Sequence, residues 1–254
     1  MNAPRSLPLL DSTFRPAKRS GVSLLFALLA ALLLSTPAKA QTAAQGPLVA
    51  VDVLLEVDAN IAARAKETNT RLRTAYPQGY GLDAAHTPHI TLVQRFVPAS
   101  RMDEARGAVA RVFAEQNLAA MKLDVTGYIV GGWSGTAIVL YKVELTPELR
   151  RLESAIDRAI QPYAASGGTA EAFVRPPGGS ISAQTVQWVE EFIPAHSGEH
   201  YEPHITLGLT TPEFAAKLKA EPFQPIAFRP ASLSMYQLGD VGTAQKKLAG
   251  WAIR

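Results

Sequence analysis

The pentapeptide Pro-His-Ile-Thr-Leu occurs twice without change, at residues 88–92 and 203–207. Little else is identical between the two halves of the chain, so the repeat indicates a diverged internal duplication. Both copies lie among β-branched and apolar residues, which favours β-strands. Because alternate residues of a strand share a face, the His and Thr of each copy point one way and the Ile and Leu point the other way. The sequence therefore predicts two matching polar patches, each anchored from behind by apolar packing.

Two such strands, related by an approximate two-fold axis, would bring His89, Thr91, His204 and Thr206 around one cleft. Attack on a phosphodiester needs a base to take one proton and an acid to deliver another. A neutral imidazole and an imidazolium can fill these roles near neutral pH, although the sequence does not indicate which histidine is which. Threonine hydroxyls can donate hydrogen bonds to the non-bridging phosphoryl oxygens, so this chemistry needs no metal.

The rest of the chain predicts a mixture of helices and antiparallel strands, an α+β fold of roughly βαββ units used twice. The expected helices cover residues 60–76, 101–117, 147–163 and 212–220. The expected strands cover residues 48–57, 88–97, 121–130, 136–145, 184–193, 203–209, 226–238 and 244–253. Residues 166–180 are rich in Gly, Pro and Ser and predict a loop.

The first forty residues have the order of a secretory signal peptide. A basic segment ends near residue 20, residues 21–34 are uncharged and mostly apolar, and Ala38-Lys39-Ala40 forms an A-x-A site. Fourteen residues are too few to cross a bilayer core of about 30 Å as a helix. We expect cleavage after Ala40, a short tether at 41–47, no stable membrane insertion after cleavage, and a secreted or periplasmic protein.

Composition limits the kinds of partner. The 254 residues carry a formal net charge of +3, but five cations and one anion lie in residues 1–40, which leaves the remainder at about −1. A broad nucleic-acid-binding surface is therefore not expected, whereas a small nucleotide or an RNA-end phosphodiester remains a suitable partner. Cysteine is absent, which excludes disulfides and cysteine-ligated zinc.

With its paired H-x-T motifs, the chain resembles the 2H phosphoesterase superfamily, especially the bacterial 2′–5′ RNA ligase and cyclic phosphodiesterase-like branch. The resemblance covers most of residues 48–254. It implies a bilobal pseudo-two-fold fold, with antiparallel sheets lining a central cleft and helices on the outer faces. It also implies metal-independent hydrolysis of 2′,3′-cyclic phosphates or related 2′–5′ phosphodiesters, or reversible 2′–5′ joining. His89 and His204 map to the acid and base, and Thr91 and Thr206 map to the phosphate-binding hydroxyls.

Further residues are candidates for substrate binding. Tyr201 and Trp133 are placed to stack on a base, and Tyr236 and Gln237 end a strand that can line the cleft. Arg95 lies four residues beyond Thr91, on the same face of an unbroken strand, where it can contact a phosphate. Arg175, in the predicted loop, can close over an anion. Packing or solvent exposure is the competing interpretation for each of these side chains.

All five histidines fall into two groups, His86 with His89, and His196 with His200 and His204. Their spacing leaves open a metal-dependent hydrolase, although Pro203 disfavours a helix that would align the second group. A module that binds nucleotides or oligonucleotides without turnover is the other alternative. The prediction is a monomeric phosphoric diester hydrolase without a cofactor.

Overall fold

The computed structural model describes residues 46–84, 86–175 and 178–253. The predicted signal peptide and most of the tether lie outside these residues. Within the described part of the chain, no helix has the length and apolar character needed to cross a membrane.

Two four-stranded antiparallel sheets form the fold. The first sheet has the order β2-β1-β7-β8, with strands β1 (Leu48–Val57), β2 (His89–Pro98), β7 (Pro230–Leu238) and β8 (Ala244–Ala252). The second sheet has the order β5-β4-β3-β6, with strands β3 (Leu123–Trp133), β4 (Thr136–Val143), β5 (His204–Thr210) and β6 (Ile226–Phe228). Each sheet thus carries one copy of the repeat on an edge strand, and the edge strands β2 and β5 lie beside each other. The α+β fold with two lobes is confirmed.

Two of the long helices each follow a strand of one sheet but pack against the other sheet. Helix α1 (Ala59–Ala75) follows β1 of the first sheet but packs against β5 of the second. Helix α3 (Pro147–Ile160) follows β4 of the second sheet and packs against β2 of the first. The other helices are α2 (Met102–Glu115), α4 (Ala183–Glu190), α5 (Phe192–His196) and α6 (Pro212–Lys219). Because the helices link the two sheets, the two motifs are held in one rigid frame.

Side-chain caps fix where the helices begin. Asp58 accepts a hydrogen bond from the amide of Ile61 at the start of α1, and Thr146 caps α3 with Pro147 at its first position. Such caps satisfy amides that the helix itself leaves unpaired. The predicted start of this helix at residue 147 is confirmed.

The predicted strand at 184–193 is wrong, because this segment forms α4 and the start of α5. Ser182 caps α4 by accepting from the amide of Thr185. The buried residues Ile181, Thr185, Val189 and Phe192 recur every three or four positions, which is the period of a helix.

The predicted single strand at 226–238 is also wrong, because the chain changes sheets inside it. Strand β6 pairs with β3 in the second sheet, whereas β7 pairs with β1 and β8 in the first. Between them, the amide of Arg229 donates to Asp58, and Pro230 has no amide hydrogen with which to continue a ladder. The change of sheet therefore occurs where the hydrogen-bond pattern is already interrupted.

Candidate active site

The first motif ends at a β-bulge. Thr91 pairs with Leu54 and Val93 pairs with Val53, so Leu92 is an extra residue without a partner on β1. Leu92 is fully buried. The extra residue reverses the alternation of the strand, so that Gln94 rather than Arg95 shares the face of His89 and Thr91.

The second motif has the same irregularity. Thr206 pairs with Leu140 and Gly208 pairs with Val139, which leaves Leu207 as the extra residue. Gly208 adopts a φ of +141°, and a Cβ there would lie 2.7 Å from Nδ2 of Asn69. Only glycine fits this backbone and this close approach.

Buried Asn69 of α1 fixes the second bulge. Its Nδ2 donates to the carbonyl oxygen of Leu207 at 2.8 Å and to that of Tyr80 at 3.0 Å, and its Oδ1 accepts from the amide of Leu82 at 3.1 Å. The amide thus joins β5 to the 80–82 segment.

Both motif histidines are oriented in the same way. Nδ1 of His89 lies 2.7 Å from the carbonyl oxygen of Thr87, and Nδ1 of His204 lies 2.8 Å from that of Glu202. Because a carbonyl only accepts, Nδ1 must carry the hydrogen in each ring. In the neutral ring, Nε2 is then the atom that can take a proton from a substrate or water.

A carboxylate that was not predicted from the sequence lies beside the first motif. Asp52 of β1 is fully buried, and its Oδ2 lies 3.5 Å from Nε2 of His89. The same oxygen accepts from Oγ1 of Thr91 at 2.8 Å and from Nε2 of Gln94 at 3.0 Å. Its isolated position in the apolar run LVAVDVLLEV was the available signal, since a charge in a buried strand needs partners.

Asp52 has no equivalent carboxylate in the second motif. Gln94 and Leu209 hold equivalent positions, each two residues after the extra residue of its bulge. Gln94 pairs with Asp52 of β1, whereas Leu209 pairs with Ile138 of β4. The approximate two-fold symmetry of the fold therefore places a carboxylate near one histidine and an isoleucine near the other.

This asymmetry separates the pKa values of the two histidines. Burial lowers the pKa of His89, but the adjacent Asp52 carboxylate, the Thr87 carbonyl and the charge of Glu56 outweigh burial, so the pKa is raised above the ordinary value. Burial also lowers the pKa of His204, the positive charges of His89 and His196 lower it further, and Glu202 compensates only in part. Near neutral pH the arrangement favours an imidazolium at position 89 and a neutral imidazole at position 204.

The motifs open into one cleft of about 620 Å³. Both motif histidines and both motif threonines line it, together with the apolar face of the second sheet and the segment from α4 to β5. The remaining described residues that line it are Gln94, Ile129, Gly131, Gly132, Trp133, Ile138, Leu140, Gln184, Trp188, Phe192, Ala195, His196, Glu199, His200, Tyr201, Glu202, Val241 and Gly242. The predicted convergence of the two motifs is thus present in the structure.

An aromatic wall, formed by Trp133, Trp188 and His196, closes one side of the cleft. The rings of Trp188 and His196 stack with centroids 3.8 Å apart, and Trp133 meets Trp188 edge-on at 6.4 Å. Both tryptophans are only half-buried. Of these three rings, only Trp133 was predicted as a base-stacking residue, because the incorrect strand at 184–193 concealed the helical spacing that presents the other two.

Helix α4 is held from both sheets. The carboxylate of Asp240, next to β7, accepts from the hydroxyls of Ser182 and Thr185 at 2.9 and 2.6 Å. On the other side, Ser134 in the turn between β3 and β4 donates to Gln184 at 3.0 Å. These bonds fix the aromatic wall relative to both motifs.

The other predicted binding residues have different positions. Tyr201 lines the cleft, but it is buried and its hydroxyl donates to the carbonyl oxygen of Thr91 at 2.9 Å, which joins the two motif segments. Tyr236 donates to Glu56, and Gln237 donates to the carbonyl of Ala172. Neither Tyr236 nor Gln237 is among the described residues that line the cleft.

The predicted position of Arg95 on the face of Thr91 is wrong, because the bulge at Leu92 turns it to the opposite face. There its Nη2 donates to Asp157 of α3 at 2.7 Å. Arg175 is exposed and pairs with Glu171, also outside the cleft lining.

The histidine spacing does not produce a metal centre within residues 46–84, 86–175 and 178–253, since no three His, Asp or Glu side chains there are arranged to hold an ion. His86 pairs with Asp83 and stacks on Tyr80.

Comparison with known proteins agrees with the motifs. The family model described as the 2′-5′ RNA ligase superfamily matches residues 59–242. No match is found among curated proteins.

Among solved structures, TT0787 of Thermus thermophilus is 13% identical with a TM-score of 0.49, and the alignment covers 81% of this chain and 98% of that one. E. coli LigT in complex with 3′-AMP is 14% identical with a TM-score of 0.43, covering 82% and 99%. The PDE domain of MHV ns2 is 10% identical with a TM-score of 0.43, covering 76% and 99%.

The family match spans most of the chain and includes both H-x-T motifs. The protein belongs to the 2′-5′ RNA ligase superfamily, the 2H phosphoesterases. Membership supports an enzyme of the phosphodiesterase or ligase type.

Proposed function

We propose that the protein is a phosphodiesterase that hydrolyses 2′,3′-cyclic phosphates or related ribose-linked phosphodiesters. The observation that carries the proposal is the cleft in which His89, Thr91, His204 and Thr206 converge, with the pKa values of the two histidines shifted in opposite directions. Two titratable groups whose environments separate their pKa values are suited to opposite roles in proton transfer.

In this mechanism His204 is the general base. Its Nδ1 is held by the Glu202 carbonyl, so Nε2 takes a proton from the attacking water. His89 is the general acid, because the neighbouring Asp52 favours the imidazolium that delivers a proton to the leaving ribose oxygen. One proton is therefore taken from water by His204 and one is delivered to the ribose oxygen by His89. The bond from phosphorus to the water oxygen forms as the bond from phosphorus to the ribose oxygen breaks.

Threonine hydroxyls stabilise the phosphoryl group. Thr91 and Thr206 lie two residues after the histidines, on the same strand faces, and both line the cleft. The hydroxyl of Thr91 donates to Asp52 at 2.8 Å in the structure, so it turns to the phosphoryl oxygen when substrate binds. Hydrogen bonds aimed at the developing charge lower the barrier without a metal ion.

The test is hydrolysis of 2′,3′-cyclic nucleotides in the presence of a chelator, by the protein and by the variants His89→Ala and His204→Ala. Each variant is expected to lose about two to four orders of magnitude in rate, which is the usual contribution of a general acid or base. His86→Ala is the matched control, because His86 lies outside the cleft lining. Unchanged rates in both motif variants would refute the proposal, and tight binding without product would favour the binding-module alternative.

The predicted signal peptide leads to a second part of the proposal, export to the periplasm with cleavage after Ala40. It rests on the order of basic segment, apolar segment and A-x-A site in residues 1–40. Mass spectrometry of the exported protein is expected to give Gln41 as the first residue, and an intact N-terminus would contradict it.

A further inference from the structure

The charge of the cleft restricts the substrate more narrowly than the motifs do. None of the described residues that line the cleft is Lys or Arg. Two of them, Glu199 and Glu202, are exposed carboxylates on the segment that leads into β5. A site that binds several phosphates normally presents Arg or Lys to them.

Three basic side chains on neighbouring elements are already paired, whereas Lys142, the strand partner of His204, is exposed and does not line the cleft. Lys247 of β8 donates to Glu56 at 2.6 Å, and Arg150 of α3 donates to the carbonyl oxygen of Gly198 at 2.8 Å. Arg95 is bound to Asp157 on the opposite face of its sheet. A second phosphate in the cleft would therefore meet no compensating cation from these residues.

The uncharged part of the cleft fits an aromatic group. The aromatic wall stands on one side, and Ile129, Ile138 and Leu140 form an apolar floor on the second sheet. Half-buried tryptophans at a cleft can stack on a nucleobase, and apolar side chains can contact its edge without adding charge.

We infer that the substrate is a nucleoside phosphodiester with one phosphorus and one base, and that the cleft, whose described lining holds two exposed carboxylates and no lysine or arginine, rejects substrates with a second phosphate. This inference rests on the proposed function and narrows it. The single phosphate lies between the two H-x-T motifs and the base lies against the aromatic wall. Terminal cyclic phosphates of 5′-phosphorylated nucleotides and of longer RNA are poor substrates.

The test compares adenosine 2′,3′-cyclic phosphate with the same compound carrying a 5′-phosphate. The added group has a charge of about −1.5 to −2 near neutral pH. Two unit charges about 4 Å apart in water change an equilibrium by roughly fivefold, so two carboxylates facing this group are expected to lower kcat/KM by at least roughly tenfold. The assay is run at about pH 8, above the ordinary histidine pKa of about 6.5, so that His196, whose pKa burial lowers further, is neutral and does not mask the effect.

The variant that combines Glu199→Gln and Glu202→Gln should reduce this discrimination to a few-fold, and raising the salt from roughly 0.02 to 0.5 M should do the same by screening. Glu213→Gln is the matched control, because Glu213 is exposed on α6 and does not line the cleft. It should leave the discrimination unchanged.

The outcomes separate this inference from the proposed function. If neither compound is hydrolysed, the proposed function fails. If both are hydrolysed with equal kcat/KM, the proposed function stands and the inference is overturned. Discrimination that persists unchanged in the double variant and at high salt also overturns it, because shape rather than charge would then be the cause.

Discussion

Replacing Asp52 by Asn tests whether the buried carboxylate sets the role of His89. The change keeps the size of the side chain and an acceptor oxygen for Thr91 and Gln94, but it removes the negative charge 3.5 Å from Nε2 of His89. A contact with a charged group contributes about 1.5–3 kcal/mol, which corresponds to roughly 10- to 150-fold. Since Asp52 is fully buried and His89 nearly so, solvent screens this contact little.

The sign of the effect follows from the direction of the pKa shift. Asp52 raises the pKa of His89, so its removal lowers that pKa and the general acid loses its proton at a lower pH. The alkaline limb of kcat/KM therefore moves to lower pH, and activity on that limb falls by up to about 10- to 150-fold. The acidic limb, which depends on His204, stays close to its original position.

The assay is kcat/KM for a 2′,3′-cyclic nucleotide measured across the pH range for both proteins. Asp157→Asn is the matched control, because Asp157 is a partly buried carboxylate that pairs with Arg95 on the opposite face of the sheet. An alkaline limb that does not move in Asp52→Asn would refute the assignment of His89 as an acid maintained by Asp52.

Three further predictions concern binding and stability. Trp188→Ala should raise KM for cyclic nucleotides in steady-state kinetics by roughly 5- to 150-fold, as expected for loss of base stacking. The same variant should hardly change KM for ribose 2′,3′-cyclic phosphate, which has no base. Equal effects on the two substrates would contradict the aromatic wall as a base site. Gly208→Ala should lower the free energy of unfolding by about 1–3 kcal/mol in urea titrations, because its Cβ strains the φ of +141° and displaces Asn69; a stability equal to that of the unmodified protein would contradict the close approach. Arg95→Ala should leave kcat and KM unchanged and cost about 1 kcal/mol of stability through loss of the pair with Asp157, whereas a large rise in KM would place Arg95 back in the cleft.

The repeated pentapeptide was sufficient to predict the centre of the site, because a strand period of two fixes which side chains share a face over short distances. The same rule failed four residues later. The bulge at Leu92 inserts one residue, so Arg95 turns away and Gln94 takes its place. Both bulges lie at the motif leucines, and no local residue pattern in the first motif distinguishes a bulge from a regular strand.

Asp52 and the aromatic wall show a second limit of prediction from the sequence alone. Asp52 meets His89 only through strand pairing between β1 and β2, a contact between distant parts of the sequence. Trp188 and His196 reach the cleft because α4 is held by Asp240 and Ser134 from two different sheets. Such tertiary positions cannot be read from local periodicity, and an error in one element, the strand expected at 184–193, removed two aromatic residues from the predicted site.

The roles of His89 as acid and His204 as base across one cleft can be separated by the leaving group. The experiment compares a 2′,3′-cyclic nucleotide with a nucleoside p-nitrophenyl phosphodiester, whose phenolate leaves without protonation. We predict that His89→Ala loses about 10²- to 10⁴-fold in kcat/KM on the cyclic substrate but far less on the aryl ester, whereas His204→Ala loses activity on both. Equal losses for His89→Ala on the two substrates would show that His89 is not the general acid.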